Sequence, residues 1–129
     1  MRVPLASGLL SGKYTRETAF ASDDHRNYNR QGEAFDVGET FAGVPFEVGL
    51  DAVEELRGLV PEGATLAQLA LRWILMHDAV TTVIPGARSP EQAQGNAEAA
   101  ALPALDDDAM ARIAAVYAER IAPHVHQRW

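Results

Sequence analysis

The chain contains no cysteine, so disulfide bonds, thiol nucleophiles and cysteine-held zinc or iron–sulfur centres are excluded from its chemistry. It also lacks any apolar run near the ~18 residues a membrane-crossing helix needs. Its first residues show no secretory-signal pattern. Together these absences predict a cytoplasmic protein with no membrane partner. Basic residues are scarce: 11 Lys and Arg stand against 18 Asp and Glu, a formal net charge of −7. A chain of that sign repels a phosphate backbone, which argues against nucleic-acid binding. The densest basic stretch, His25, Arg26 and Arg30, is short and flanked by Asp23, Asp24 and Glu33. A few oriented groups still suffice for a local anion site.

What is present is enough apolar material for a core: 47% of 129 residues, a length that suits one domain. Residues 3–14 begin apolar and break at Ser7-Gly8, Ser11 and Gly12, which reads as a strand end and a tight loop. Residues 15–45 have no stable period and read as a long surface loop with one or two short turns. From Phe46 the pattern turns helical, with Leu50, Val53, Leu56 and Val60 at spacings of three and four. Pro61-Glu62-Gly63 ends that helix. Thr65 and Gln68 then form a capping-box pattern ahead of Leu66, Leu69, Ala70 and Trp73, an apolar face that reads as core. Thr81-Thr82-Val83-Ile84 is β-branched throughout and predicts a short buried strand, stopped by Pro85-Gly86. Ser89-Pro90-Glu91-Gln92 is a second capping-box pattern with proline at the first helical position, opening an alanine-rich helix to about Ala101. Asp106 caps a last helix, with Asp107 and Asp108 suited to its first turn. Pro123 is expected to end it, leaving a tail from His124 to Trp129.

A strand that ends in Pro-Gly and feeds a helix with free first amides makes an anion site, because unpaired N–H groups and the helix dipole favour negative charge. Arg88 stands just before that helix start. A guanidinium there suits a phosphate monoester, which it grips with two parallel hydrogen bonds. In (β/α)8 barrels a phosphate site commonly lies in the loops after strands seven and eight.

Three segments carry a resemblance. Pro4-Leu5-Ala6-Ser7-Gly8-Leu9-Leu10-Ser11-Gly12-Lys13-Tyr14 resembles the segment after strand seven of aldo-keto reductases. Thr65 to Leu75 resembles the following helix. Ile84-Pro85-Gly86-Ala87-Arg88, with Gln92 and Asn96, resembles the segment after strand eight. The order and spacing match over essentially the whole chain. The implied fold is α/β: a partial (β/α)8 TIM barrel of the aldo-keto reductase type, helix-dominated, with residues 1–129 forming one incomplete domain. Met1 falls where the seventh strand would already be ending, so one full strand and the stub of another are expected. The implied activity of the complete fold is NADPH-dependent reduction of an aldehyde or ketone. The resemblance implies that Leu5, Ala6, Ser7 and Gly8 offer backbone groups to the cofactor pyrophosphate. It implies that Arg88 and neighbouring Ala87 or Ser89 meet the adenosine 2′-phosphate, that Gly86 belongs to the same cofactor site, and that Gln92 and Asn96 face ribose and adenine. Gly95 departs from the pattern, standing where the family usually has Asp or Glu against the adenine. The catalytic Asp, Tyr, Lys and His of the family have no matching positions here, so no catalytic residue is assigned and the chain alone is expected to be inactive.

Plainer readings stand beside these. Arg88 alone reads equally as a solvated arginine, and Gln92 and Asn96 as surface polar residues one turn apart. Lys13 and Tyr14 are adjacent, and adjacent residues rarely point at one substrate atom. His124 and His126 alternate but lack a third ligand, so no metal is assigned. Three accounts remain open: part of a reductase, a non-catalytic nucleotide-binding or self-associating domain, or a subunit that completes a split barrel with an N-terminal partner chain. Apolar helix faces at Leu50, Val53, Leu56, Leu69, Trp73, Met110 and Ile113 predict a homo-oligomer or such a partner.

Overall fold

A computed structural model describes residues 3–128; Met1, where the strand stub was expected, and Trp129 of the tail lie outside the described residues. The short turn α1 (His25–Tyr28) is followed by α2 (Phe46–Arg57), α3 (Leu66–Leu75), α4 (Pro90–Glu98), α5 (Asp107–Val116) and the short α6 (Ala122–Val125). Among the described residues none forms a β-strand, and no helix is long and apolar enough to cross a membrane.

The helices begin where local chemistry says they should. Thr65 Oγ1 accepts from the Gln68 N–H at 3.2 Å, and Gln68 Oε1 accepts from the Thr65 N–H at 2.9 Å, which completes the capping box of α3. Asp106 caps α5 by accepting from the Ala109 N–H at 2.8 Å. Along α2 the three-and-four spacing puts Phe46, Leu50 and Val53 on one buried face. They meet Leu9, Phe41, Leu66 and Leu69 in one core cluster.

α3 is apolar on two sides. Leu66, Leu69, Ala70 and Trp73 line a gap of about 220 Å³ shared with α2, α5 and residues 6–10. Leu71 and Leu75, on the opposite side, line a cleft of about 420 Å³ against residues 81–87 and α4. Gln68 secures that second side by donating to the Gly95 carbonyl at 3.0 Å.

Three expectations are corrected. Thr81–Ile84 is not a strand. β-branched residues favour extended backbone, but a strand exists only with a partner ladder; here Ile84 is 70% exposed. Residues 3–8 are likewise a turn rather than a strand end. Residues 15–45 are irregular between short helical turns, and they also supply buried Asn29, Thr40, Phe41 and Val44. Asn29 closes that region: its Oδ1 accepts from the Ala34 and Phe35 N–H groups at 2.9 and 2.8 Å, and its Nδ2 donates to Thr40 Oγ1 at 3.2 Å. Lastly, Pro123 does not end the final helix. A wider turn over Tyr117–Ile121, with the Ala122 N–H bonded to the Tyr117 carbonyl, absorbs the missing proline donor. The helix then runs on through α6, and Val125 is buried.

The apolar helix faces are largely covered within the chain. Leu50, Val53 and Leu69 are fully buried, and Leu56, Trp73, Met110 and Ile113 are half-buried.

Candidate functional site

The first candidate segment is held in a left-handed turn. Ala6, Ser7 and Gly8 have φ of 47°, 55° and 87°. Only glycine adopts this conformation freely, and an L-residue there costs about 1–2 kcal/mol, so the turn must be held from outside. Ser7 does much of this. Its Oγ accepts from the Phe41 N–H at 3.2 Å and donates to the Glu39 carbonyl at 3.4 Å. Its carbonyl accepts from the Tyr14 hydroxyl and from Arg26 Nη1, each at 3.4 Å. Gly8 leaves room for that arrangement, since a Cβ there would lie 2.6 Å from the Tyr14 hydroxyl.

The turn spends much of its own donor capacity. The Ala6 and Gly8 N–H groups bond to the carbonyls of Val3 and Leu5. The Ser7 N–H has no acceptor among the described residues.

Arg26 and Arg30, read from sequence as a basic stretch, are built into the support of this turn. Arg26 pairs with Asp24 and donates to the Tyr14 hydroxyl. Its guanidinium lies 4.7 Å from the Phe20 ring centre, and that of Arg30 lies 4.9 Å from the Phe46 ring centre. The Arg26 hydrogen bond holds the Asp24 carboxyl down to about 2, and the same bond raises the Arg26 pKa. An arginine so paired serves an incoming anion less well than the sequence suggested. No sequence signal marked this cluster, because it joins residues 7, 14, 20, 26 and 46 only through tertiary packing.

The second candidate segment folds onto the start of α4. Ser89 Oγ caps the helix by accepting from the Gln92 N–H at 3.3 Å. Gln92 does not reach back to Ser89 as a capping box requires. Its Oε1 accepts from the Arg88 N–H at 2.8 Å instead. Asn96 Nδ2 donates to the Gly86 carbonyl at 3.1 Å. Both side chains therefore shape the turn from Gly86 to Ser89. Ala87 and Asn96 line the cleft beneath it. The Arg88 guanidinium is exposed and has no carboxylate partner among the described residues. The helix start is less open than its sequence implied. Glu91 stands in the first turn of α4, and its pKa is lowered by its own backbone N–H first and by the Ser89 hydroxyl second.

The two segments lie against opposite sides of α3, and no hydrogen bond among the described residues joins them. Lys13 is exposed at the end of the first segment. The described residues hold no cluster of three or more His, Asp or Glu with the geometry of a metal site.

Capped helices carry the turn at residues 6–8 on one side of α3 and the turn at residues 86–89 on the other. The family model of the aldo/keto reductases matches residues 2–118, and the chain belongs to that family. It is 35% identical over 97 residues to L-glyceraldehyde 3-phosphate reductase of Escherichia coli K12, covering 74% of this chain and 26% of the relative. It is 34% identical over 102 residues to an Arabidopsis thaliana protein named "Probable voltage-gated potassium channel subunit beta", covering 74% of this chain and 27% of that one. Among solved structures it resembles the glycerol dehydrogenase of Gluconobacter oxydans, with TM-score 0.69 and 27% identity over 96% of this chain and 34% of that one. The chain thus spans about a quarter of the length of the curated relatives it matches.

Proposed function

We propose that this chain carries the adenosine 2′-phosphate end of an NADP(H) site belonging to a carbonyl-reducing (β/α)8 barrel, and that it supplies no catalytic residue of its own. The observation that carries this reading is the Arg88 turn. Gln92 and Asn96 fix the backbone from Gly86 to Arg88 from below, and the exposed guanidinium at the start of α4 has no carboxylate partner among the described residues. That donor set fits a phosphate monoester: a planar fork for two oxygens, a helix dipole behind it, and Ser89 beside it. The Ser7 N–H, on a turn that cannot readily relax, supports contact with the pyrophosphate.

In that arrangement Arg88 binds and orients the adenosine end, and Leu5 to Gly8 steady the middle of the cofactor. NADPH, when bound, supplies hydride to an aldehyde or ketone; the proton comes from an acid on strands that this chain does not contribute. The discriminating experiment is a titration of the chain with NADPH and NADH. The reading predicts tighter binding of NADPH; equal affinities would remove its basis.

A second reading is favoured by the edge at residues 81–85. Ile84 is 70% exposed above a cleft lined by Leu71, Leu75 and Val83, and its β-branched neighbours are the residues a barrel strand would use. On this reading the edge is covered by further strands, from a partner polypeptide or a second copy. Light scattering across a concentration series separates this from a stable lone chain.

A further inference from the structure

The family model stops at residue 118, yet the chain beyond it is firmly docked. Past Pro123, Val125 is only 3% exposed. Arg128 Nη2 lies 3.2 and 3.3 Å from the two carboxylate oxygens of Asp36. Both residues close on Gly43: a Cβ on that glycine would lie 3.3 Å from Arg128 Nη1 and 3.7 Å from Val125 Cγ1. The C-terminal segment therefore lies against the turn at residues 41–43.

That turn is itself left-handed. Phe41, Ala42 and Gly43 have φ of 50°, 57° and 80°. It stands against the other left-handed run, residues 6–8, and Ser7 Oγ bridges them by accepting from the Phe41 N–H and donating to the Glu39 carbonyl. Neither run is a conformation that its non-glycine residues prefer. Each holds only while its surroundings over-determine it. The path from Val125 and Arg128 through residues 41–43 to Ser7 is continuous.

We infer that the C-terminal segment positions the 6–8 turn, with Val125 and Arg128 as positioning residues that act through residues 41–43 on Ser7. The significance for the cofactor rests on reading residues 5–8 as its contact; the coupling itself does not.

The test is amide hydrogen exchange on the full chain, read residue by residue in Val125→Ala, Arg128→Ala and Arg128→Lys. In Val125→Ala the amides of Phe41 and Gly8 should exchange roughly tenfold faster, as local opening becomes easier. Amides within α4, such as that of Asn96, should be unchanged. Arg128→Ala should show the same pattern more weakly, and Arg128→Lys should restore it by keeping the charge facing Asp36. Unchanged exchange at Phe41 and Gly8, or acceleration spread equally over α4, would overturn the inference. NADPH titration of the same variants separates the two readings. A wild-type chain that ignores NADPH removes the cofactor reading, while the exchange pattern alone still decides the coupling.

Discussion

Replacing Gly8 with alanine tests how the first candidate turn is held. Two penalties combine at this position. Gly8 has φ of +87°, where an L-residue costs about 1–2 kcal/mol. The new Cβ would also lie 2.6 Å from the Tyr14 hydroxyl, closer than real Cβ contacts come. Tyr14 must then move, and its bonds to the Ser7 carbonyl and from Arg26 are lost or stretched. At roughly 0.5–1.5 kcal/mol each, the total comes to about 2–5 kcal/mol, a large share of the ~5–15 kcal/mol stability of an ordinary domain. The control is Gly63→Ala: φ there is +77°, but nothing lies within 4 Å of the added carbon, so only the backbone penalty applies. Urea unfolding of both variants reads the difference. With slopes of about 1–3 kcal/mol per molar urea, Gly8→Ala should lower the midpoint clearly more than Gly63→Ala. Gly8→Ala combined with Tyr14→Phe should recover part of the gap, because the hydroxyl is then gone and the nearest remaining ring atom, at 3.3 Å, can adjust. Equal losses at Gly8 and Gly63, or a double variant no better than the sum of the singles, would refute this account of the turn.

Two further outcomes follow from the charges. Glu91→Gln should strengthen binding of a 2′-phosphate nucleotide by a small factor, about two- to fivefold, because it removes a carboxylate from beside the first amides of α4; calorimetry with 2′-AMP checks this. The folded-state pKa of Asp24 is depressed to about 2 from an ordinary 3.8 by the Arg26 hydrogen bond. Its contribution is therefore complete above the ordinary value and is lost as pH falls through about 2. Wild-type stability should accordingly decline between those limits by a component that Asp24→Asn lacks, measurable as the difference in urea midpoint across an acid pH series.

What the sequence made legible was local. The caps of α3 and α5 rest on side chains within three residues of the amides they satisfy, so Thr65 and Asp106 announced themselves. The buried face of α2 followed from spacing alone. The expectations at Thr81–Ile84 and Pro123, and the burial within residues 15–45, share one cause: each is decided by something distant. A strand needs a ladder from elsewhere. The turn over Tyr117–Ile121 is rewarded by the burial of Val125 against residues 41–43. The polar pair Asn29 and Thr40 is buried only because the chain between them closes into a loop. The candidate site divides in the same way. Resemblance placed Arg88, Gln92 and Asn96 on one turn and helix. That Gln92 and Asn96 bond inward to shape the turn is a geometric fact with no sequence signature. The support of Ser7 by Tyr14 and Arg26 was equally hidden, because all three lie in segments without periodicity.

On the function proposed above, Arg88 and the start of α4 receive an adenosine 2′-phosphate. The most direct measurement follows the amide signals of Arg88, Glu91, Gln92 and Asn96 while the chain is titrated with 2′-AMP and, separately, with 5′-AMP, in the wild type and in Arg88→Ala. The account predicts that 2′-AMP moves these signals at lower concentration than 5′-AMP does. It also predicts that Arg88→Ala weakens 2′-AMP binding by about 1.5–3 kcal/mol, the range for a hydrogen bond to a charged group. Signals that respond alike to both nucleotides, or a 2′-AMP response untouched by Arg88→Ala, would contradict it.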